Sequence, residues 1–493
     1  MVWIEVADRG GELGATRAGV TGEAPSDVLW HYNLSARHLD KLCERVDTFS
    51  VSGDGERLVV RHRDDTIVVP SSHKVDDDDP AYIRVDLTRL RRTVNPRAEW
   101  RQMFDENGRL MASHYWREDM NGVDWDSVLN RYRPLVDLCH VVDDLHDILW
   151  ETVAELNTSH SYVSASGAAG DSDMRAGLLG ADVSSGNDGA KVVRVIPGES
   201  SDPRAWSPLR AAGVAVTEGD VIVAVDGRKV GADGNLGELL EGSAGRVVEL
   251  TVRRGENERQ VAVVPMADEA PLRYHDWVAS RRRYVEEHSG GRLGYLHVPD
   301  MVSDGWAELH RQIGEATRHE GVIADVRFNH GGHTSQLVVE RLARRVVGWD
   351  YSRWYATADT YPQNAVRGPI VMVTNQWAGS DGDIVAAATQ AMGYAKVIGE
   401  RSWGGVVGID GRFDLVDGTS VTQPRYAGWY GSYGWGVENH GVDPDIVVTV
   451  SPEDWEADCD VQLDAAIAEC LRQLDDKPAA TAPELPGPAF DRC

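Results

Sequence analysis

The chain is short of cysteine, of basic charge and of long apolar runs, and each shortage removes a class of protein. Its five cysteines, Cys43, Cys139, Cys459, Cys470 and Cys493, are scattered, odd in number and never spaced as CxxC. That excludes a disulfide framework and a zinc knuckle. Fifty basic residues stand against 79 acidic ones, a net charge of −29. A surface so negative repels phosphate backbones and anionic headgroups, so neither nucleic acid nor a membrane is an expected partner. Cationic peptides are the polymers it would attract. No stretch reaches the roughly 20 apolar residues of a membrane span. No basic segment followed by an apolar core opens the sequence, so a cytoplasmic location is expected.

What remains is an ordinary globular composition, 42% hydrophobic and 26% charged over 493 residues. That length suggests about three domains. Asp47 to Pro70 alternates in short strands joined by a Gly-Asp-Gly turn and an Asp-Asp-Thr turn, the pattern of a meander or a propeller blade. Asp76 to Asp79 is a solvated charge run. Residues 97–157 carry apolar side chains at helical spacing, among them Trp100, Met103, Phe104, Leu110, Met111, Leu145 and Leu149. His160 follows that helical region and enters an extended segment. Residues 164–190, rich in Gly, Ala, Ser and Asp, read as a loop or linker.

Strands and turns resume from Ala190: Lys191–Ile196, Glu218–Val230, Val247–Arg254 and Gln260–Pro265, with a small helix at Leu236–Leu240. The order resembles a PDZ domain, whose open strand edge receives peptides by β-augmentation. Residues 292–450 then alternate strand and helix, as expected of a largely parallel sheet with its active loops at the strand ends. Helices are expected at Gly305–Thr317, Ser335–Val347 and about Asp454–Leu474. A disordered tail is expected from Asp475.

Within that region, Pro369–Asn375 reads as a buried strand and Ile384–Met392 as a helix, with Gly379 and Gly382 flanking Ser380 between them. Such a corner lifts a hydroxyl beside free backbone N–H groups and the positive end of a helix, where an acyl-transfer nucleophile belongs. The same Ser380 and Asp383 could instead cap the helix. A serine nucleophile needs a base. Lys396 lies on an apparent strand, and Gly405 stands in Ser402-Trp-Gly-Gly-Val406 where processing proteases carry a lysine, so the base is expected to be histidine. His330 and His333 flank Gly331-Gly332 without acidic or cysteine ligands at a useful spacing, which argues against metal. The two glycines suit an oxyanion loop better. No cofactor is called for.

Thr158-Ser-His-Ser-Tyr162, the PDZ unit, Asp325-Val-Arg-Phe-Asn-His-Gly-Gly332, Ala378-Gly-Ser-Asp-Gly-Asp383 and Val437-Glu-Asn-His-Gly-Val-Asp-Pro-Asp445 occur in the order found in tricorn proteases. From about residue 47 to 475 the chain resembles the C-terminal half of such a protein. The resemblance implies a serine peptidase acting on oligopeptides, with Ser380 as nucleophile, His160 as base, Ser159 bonded to the imidazole and Glu438 behind Ser159. It implies an oxyanion site built from the N–H of Asp381 and of Gly331 or Gly332, which the motif does not separate. It implies a homo-oligomer, a hexamer, and a preference for basic or hydrophobic residues before the cut bond through a neighbour's aspartate, here Asp350. The expected architecture is multidomain α+β and α/β: a remnant of a β-propeller blade and linker over 1–90, and a helical C1-like subdomain carrying the base over 91–165. A PDZ-like β-barrel domain follows over 183–268, then an α/β (crotonase-like) catalytic domain over 269–475 and a disordered tail over 476–493. The competing expectation is an inactive PDZ-containing peptide-binding scaffold.

Overall fold

The computed structural model describes residues 1–6, 26–62, 65–91, 93–165, 174–231 and 235–485. The chain divides into two units, one formed by 1–94 with 200–203, the other by 95–199 with 204–493.

Among the described residues the first unit is built on antiparallel sheet, with one short 3-10 turn at Leu87–Arg89. Strands β1 (Val2–Glu5), β2 (Val28–Asn33) and β3 (His38–Glu44) form one sheet. Strands β4 (Thr48–Val51), β5 (Arg57–His62), β6 (Asp65–Pro70) and β7 (Ile83–Val85) form another, so the expected meander gains a fourth strand. Leu58 and Val60 of β5 alternate inward with Val69 of β6 and pack with Leu29 and Leu42. That period of two is what a one-sided sheet requires.

The second unit begins with three helices, α1 (Pro96–His114), α2 (Trp125–Val136) and α3 (Val142–Ala154). Asn95 caps α1 through its side chain and Pro96 occupies the first turn, where a missing N–H costs nothing. Met103, Phe104, Leu145 and Leu149 meet in the core of this bundle together with Leu415 and Val421 from far along the chain. Strand β8 (Val163–Ser164) pairs with Ser420–Val421. The helical region is thereby stitched to the later domain, and this positions His160.

Next come β9 (Ala181–Gly186), β10 (Gly189–Val195), β11 (Val221–Val225), β12 (Arg228–Lys229), α4 (Leu236–Leu239), β13 (Val248–Arg254) and β14 (Asn257–Val263), in the sheet order β14-β13-β11-β10-β9. Strand β9 corrects the reading of 164–190 as loop throughout. Ala181-Asp-Val-Ser-Ser-Gly186 is weak in strand propensity, but antiparallel pairing with β10 overrides it.

Helix α5 (Ala270–His288) leads into the parallel-sheet region, whose elements are in order β15 (Leu293–His297), α6 (Ser303–Ala316), β16 (Gly321–Asp325), α7 (Ser335–Leu342), the hairpin β17 (Gly348–Asp350) and β18 (Asp359–Tyr361), then β19 (Ile370–Thr374), α8 (Asp381–Met392) and β20 (Ala395–Gly399). Short strands β21 (Gly408–Asp410), β22 (Ser420–Val421), β23 (Gln423–Tyr426) and β24 (Ile446–Val447) follow. The sheet β15-β16-β19-β20-β24 is parallel throughout. Every residue of β15, β16 and β19 is buried, as expected when helices cover both faces.

The single terminal helix expected near 454–474 is two, α9 (Pro452–Glu456) and α10 (Val461–Asp476). The break falls at Asp458, in the left-handed region at φ 53°, and at Asp460, whose carboxylate is held by buried Arg327 (2.7 and 3.0 Å) while capping α10. Helix α7 likewise stops at Leu342 rather than Val347. Of the tail, residues 477–485 are described; the N–H of Ala480 donates to Arg367 O (2.8 Å). Among the described residues no helix is long and apolar enough to cross a membrane.

Candidate active site

Parallel strands deliver their loops to one end of the sheet, and two such loops make the first part of the site. Leaving β16, Phe328 turns through φ 60° into Asn329-His-Gly-Gly332; leaving β19, Asn375 opens the turn that ends at Ser380. Asn375 Oδ1 accepts from the N–H of Phe328 (3.0 Å) and of Trp377 (3.2 Å), tying the loops together. Buried Asn329 repeats the tie, its carbonyl accepting from Gly379 N–H (3.0 Å).

Ser380 sits at φ 56°, ψ −120° at the head of α8, and its side chain makes no capping hydrogen bond. Left-handed backbone at a residue with a Cβ costs on the order of 1 kcal/mol, and such strain persists where the surroundings impose it. The hydroxyl is therefore not spent on the helix. Gly331 lies against it: a Cβ there would stand 2.5 Å from Ser380 Cβ and 3.2 Å from Oγ, at φ +74°. The N–H of Gly331 is already given to Asn329 Oδ1 (2.9 Å). Among the described residues, the N–H groups of Gly332 and Asp381 have no acceptor. The Asp381 carboxylate accepts from Ser335 N–H (3.0 Å), and burial raises its pKa. His330 and His333 are exposed beside this loop, and no group of three metal-binding side chains gathers among the described residues.

His160 reaches the site from the helical region. Asn157 turns the chain after α3 at φ 49°, and Asn439 holds that turn through Asn157 O (2.7 Å). Thr422 fixes the His160 main chain, its hydroxyl donating to His160 O (2.7 Å) and accepting from Tyr162 N–H (2.7 Å). Ser159 Oγ lies 3.1 Å from His160 Nδ1. The imidazole is buried, edge-on to Tyr162 (5.7 Å between centroids) and Trp403 (5.4 Å). Trp403 in turn packs on Gly379, where a Cβ would come within 2.7 Å of its ring, and its N–H donates to Ala378 O (3.0 Å). The order of contact is thus His160, Trp403, then the Ser380 corner. Among the described residues no hydrogen bond joins His160 to Ser380; in unliganded sites such bonds are often long and tighten only around substrate. Burial lowers the His160 pKa, and the charge of Glu438 opposes that shift.

Two carboxylates hold these pieces in register. Glu438 Oε1 accepts from Ser159 N–H (2.8 Å), while Oε2 accepts from Val406 N–H (2.8 Å) and Val407 N–H (3.0 Å). Glu438 therefore meets Ser159 at its amide. Asp383, in the first turn of α8 and wholly buried, accepts from Gly404 N–H (2.8 Å) and Gly405 N–H (3.2 Å). Four consecutive amides of one strap, 404–407, end on two carboxylates. Asp383, Asn329 and Trp403 are the residues that motif reasoning missed or read only as a cap. The adjacent Gly404-Gly405 was the available signal, since a Cβ on Gly404 would fall 2.5 Å from Gly441 N.

Asp350 is not brought to this cluster. Exposed itself, it ends the hairpin strand β17 opposite Asp359 and makes no hydrogen bond or ion pair with the other candidate residues.

A parallel α/β domain with a strained serine corner, preceded by a PDZ domain and a helical domain, defines a class. Residues 292–448 match peptidase family S41, 177–268 the tricorn protease PDZ domain and 96–154 the tricorn protease C1 domain. The chain is 56% identical over 481 residues to tricorn protease homolog 1 of Streptomyces coelicolor, covering 97% of this chain and 45% of that protein. It is 35% identical over 454 residues to the tricorn protease of Thermoplasma acidophilum, covering 92% of this chain and 42% of that one. The crystal structure of the tricorn protease superposes with a TM-score of 0.87 at 33% identity over 96% of this chain and 46% of that chain. The chain belongs to the tricorn protease family, and it spans less than half the length of these relatives.

Proposed function

We propose that this chain hydrolyses peptides by acyl transfer to water, with Ser380 as nucleophile and His160 as general base. The supporting observation is the strap: its amides 404 and 405 are held from the nucleophile's own helix and its amides 406 and 407 by the carboxylate that also holds Ser159. In the first step Ser380 Oγ attacks the peptide carbonyl and passes its proton to His160. The imidazolium is oriented through Nδ1 by Ser159, and the field of Glu438 stabilises its charge. The oxyanion rests on the N–H of Asp381 and, of the two loop glycines, on that of Gly332, because Gly331 already donates to Asn329. His160 then protonates the leaving amine, and water releases the acyl group by the same route. Each oxyanion donor is worth about two to three orders of magnitude in rate.

The acidic surface and the family likeness favour short peptides with a basic residue before the cut bond. Assembly of six copies would supply Asp350 from a neighbour, consistent with its exposed place on the hairpin. The two N-terminal sheets fit propeller blades, the catalytic domain fits a crotonase-like arrangement, and a cytoplasmic site of action fits the composition. The test is turnover of fluorogenic peptides with Arg or Lys before the reporter, together with labelling by a serine-directed phosphonate. Ser380→Ala should abolish both. Labelling that persists in the variant excludes Ser380, and an unsubstituted protein that binds peptides without turning them over would establish the scaffold reading instead.

A further inference from the structure

We infer that Asp383 is a positioning residue for the proposed peptidase site, holding the strap 402–407 so that His160 and Ser380 meet, and that its protonation loosens that hold. The inference rests on the acyl-transfer reading above. Asp383 lies three residues past Ser380 on the first turn of α8, so it moves with the nucleophile. Its two oxygens take Gly404 N–H (2.8 Å) and Gly405 N–H (3.2 Å), the amides immediately before the pair taken by Glu438. Trp403, next to the amides that the carboxylate holds, packs on Gly379 and lies 5.4 Å from the His160 ring. A shift of the strap therefore moves a ring that touches both the His160 imidazole and the turn carrying Ser380, and misplacement by about 1 Å in such a site costs on the order of a hundredfold in rate.

The surroundings of Asp383 make the tie sensitive to pH. Burial raises its carboxyl to about 6, against the stabilising bonds from the Ser402 hydroxyl and the amides of Gly404, Gly405 and Ser380. The titratable groups facing it are the Tyr430 phenol, pushed up to about 12 by burial and by the charges of Asp381 and Asp383, and Asp381 on its own helix. No cation faces it among the groups that shift it. Ionised, Asp383 offers two acceptors to two amides; protonated, it keeps one good acceptor and gains a donor. The site then needs two deprotonations as pH rises, one at His160 and one at Asp383.

The decisive measurement is kcat/KM against pH, from 4.5 to 8.5, in the full chain and in Asp383→Asn. The unsubstituted enzyme should lose activity toward acid with a slope approaching two. Asp383→Asn should lose it with a slope of one and show kcat about 10- to 100-fold lower, with KM changed less than about threefold. A slope of one in both, or an unchanged kcat, overturns the inference while leaving the hydrolase reading intact. No turnover in the unsubstituted chain would instead sink that reading. Because the variant itself could fold poorly, residue-resolved hydrogen exchange on the unsubstituted protein gives a second test. Between pH 7 and pH 5, after correction for intrinsic rates, amides 404 and 405 should lose protection while 406 and 407, on Glu438, keep theirs. Equal behaviour of all four refutes the proposal.

Discussion

Replacing Glu438 by glutamine separates the two things this carboxylate does. The shape is preserved, but one of its two oxygens becomes an NH2 group. Three backbone N–H groups point at the side chain, from Ser159, Val406 and Val407. With the amide oxygen toward Val406 and Val407, the Ser159 bond is lost; the other orientation loses two. Hydrogen bonds to a charged acceptor contribute roughly 1.5–3 kcal/mol each, so one or two losses, softened by the solvent that reaches this half-buried group, come to about 2–4 kcal/mol of stability. The catalytic effect has a different signature. The negative charge of Glu438 holds the His160 pKa up against desolvation. Without it the imidazole titrates at still lower pH, so the acid limb of kcat/KM shifts toward acid even as the plateau falls. The plateau should fall by about 10- to 1,000-fold, less than the roughly 10⁴-fold seen when a carboxylate bonded directly to the imidazole is neutralised. Urea unfolding followed by circular dichroism reads the first effect, and a pH profile on a fluorogenic peptide reads the second. A limb that stays in place or moves toward alkaline pH would refute the coupling of Glu438 to His160.

Gly331→Ala places a Cβ 2.5 Å from Ser380 Cβ on a backbone at φ +74°, so the two loops must part. Activity should fall at least about a hundredfold, the scale of one oxyanion donor, with the His160 limb of the pH profile unmoved; retention of more than about a tenth of the activity would contradict the close packing. Asp460→Asn breaks a buried ion pair with Arg327, whose other partner is Asp325. It should cost about 3–5 kcal/mol in urea unfolding, because the guanidinium stays buried with one partner gone. Burial works to raise the Asp460 carboxyl, but the Arg327 charge and bonds outweigh it and hold it below its ordinary value. Its contribution is therefore complete above about pH 4 and is lost as pH falls through the depressed value, so the variant should be less sensitive to acid than the parent over that range.

The chain showed its elements wherever periodicity or turn chemistry decided them. The buried strands of the parallel sheet, the helix after Ser380 and the helical character of the region before His160 follow from apolar spacing alone, since each must bury a face. Strand β9 did not show, because Asp182, Ser184 and Ser185 become a strand only when β10 pairs with them. The division of the terminal helix was equally silent: nothing local marks Asp460 as more than a cap, and its bond to Arg327 spans 133 residues. Ser380, His160, Ser159 and Glu438 could be named from motif order, but not the way they are joined.

That joining is a matter of backbone amides, which carry no residue identity and so leave little trace in a sequence. Strap 404–407 presents four N–H groups in a row that regular secondary structure does not satisfy, and a buried amide without a partner is costly. Two carboxylates supply acceptors, Asp383 on the helix headed by Ser380 and Glu438, 55 residues further along. Each would be unfavourable alone: Asp383 ionises only near pH 6 because its site excludes water. Together they fix a glycine-rich segment that could not fix itself, and Trp403 at its head is held against both the His160 ring and the Gly379 turn. The glycines are required for the same reason, since side chains at 404 and 405 would strike the backbone of Gly441 and the Trp403 ring. A lysine-bearing loop could furnish a base from this position. Here the strap carries none, and in the proposed mechanism the base is His160, from the helical region, whose ring Trp403 of the strap touches.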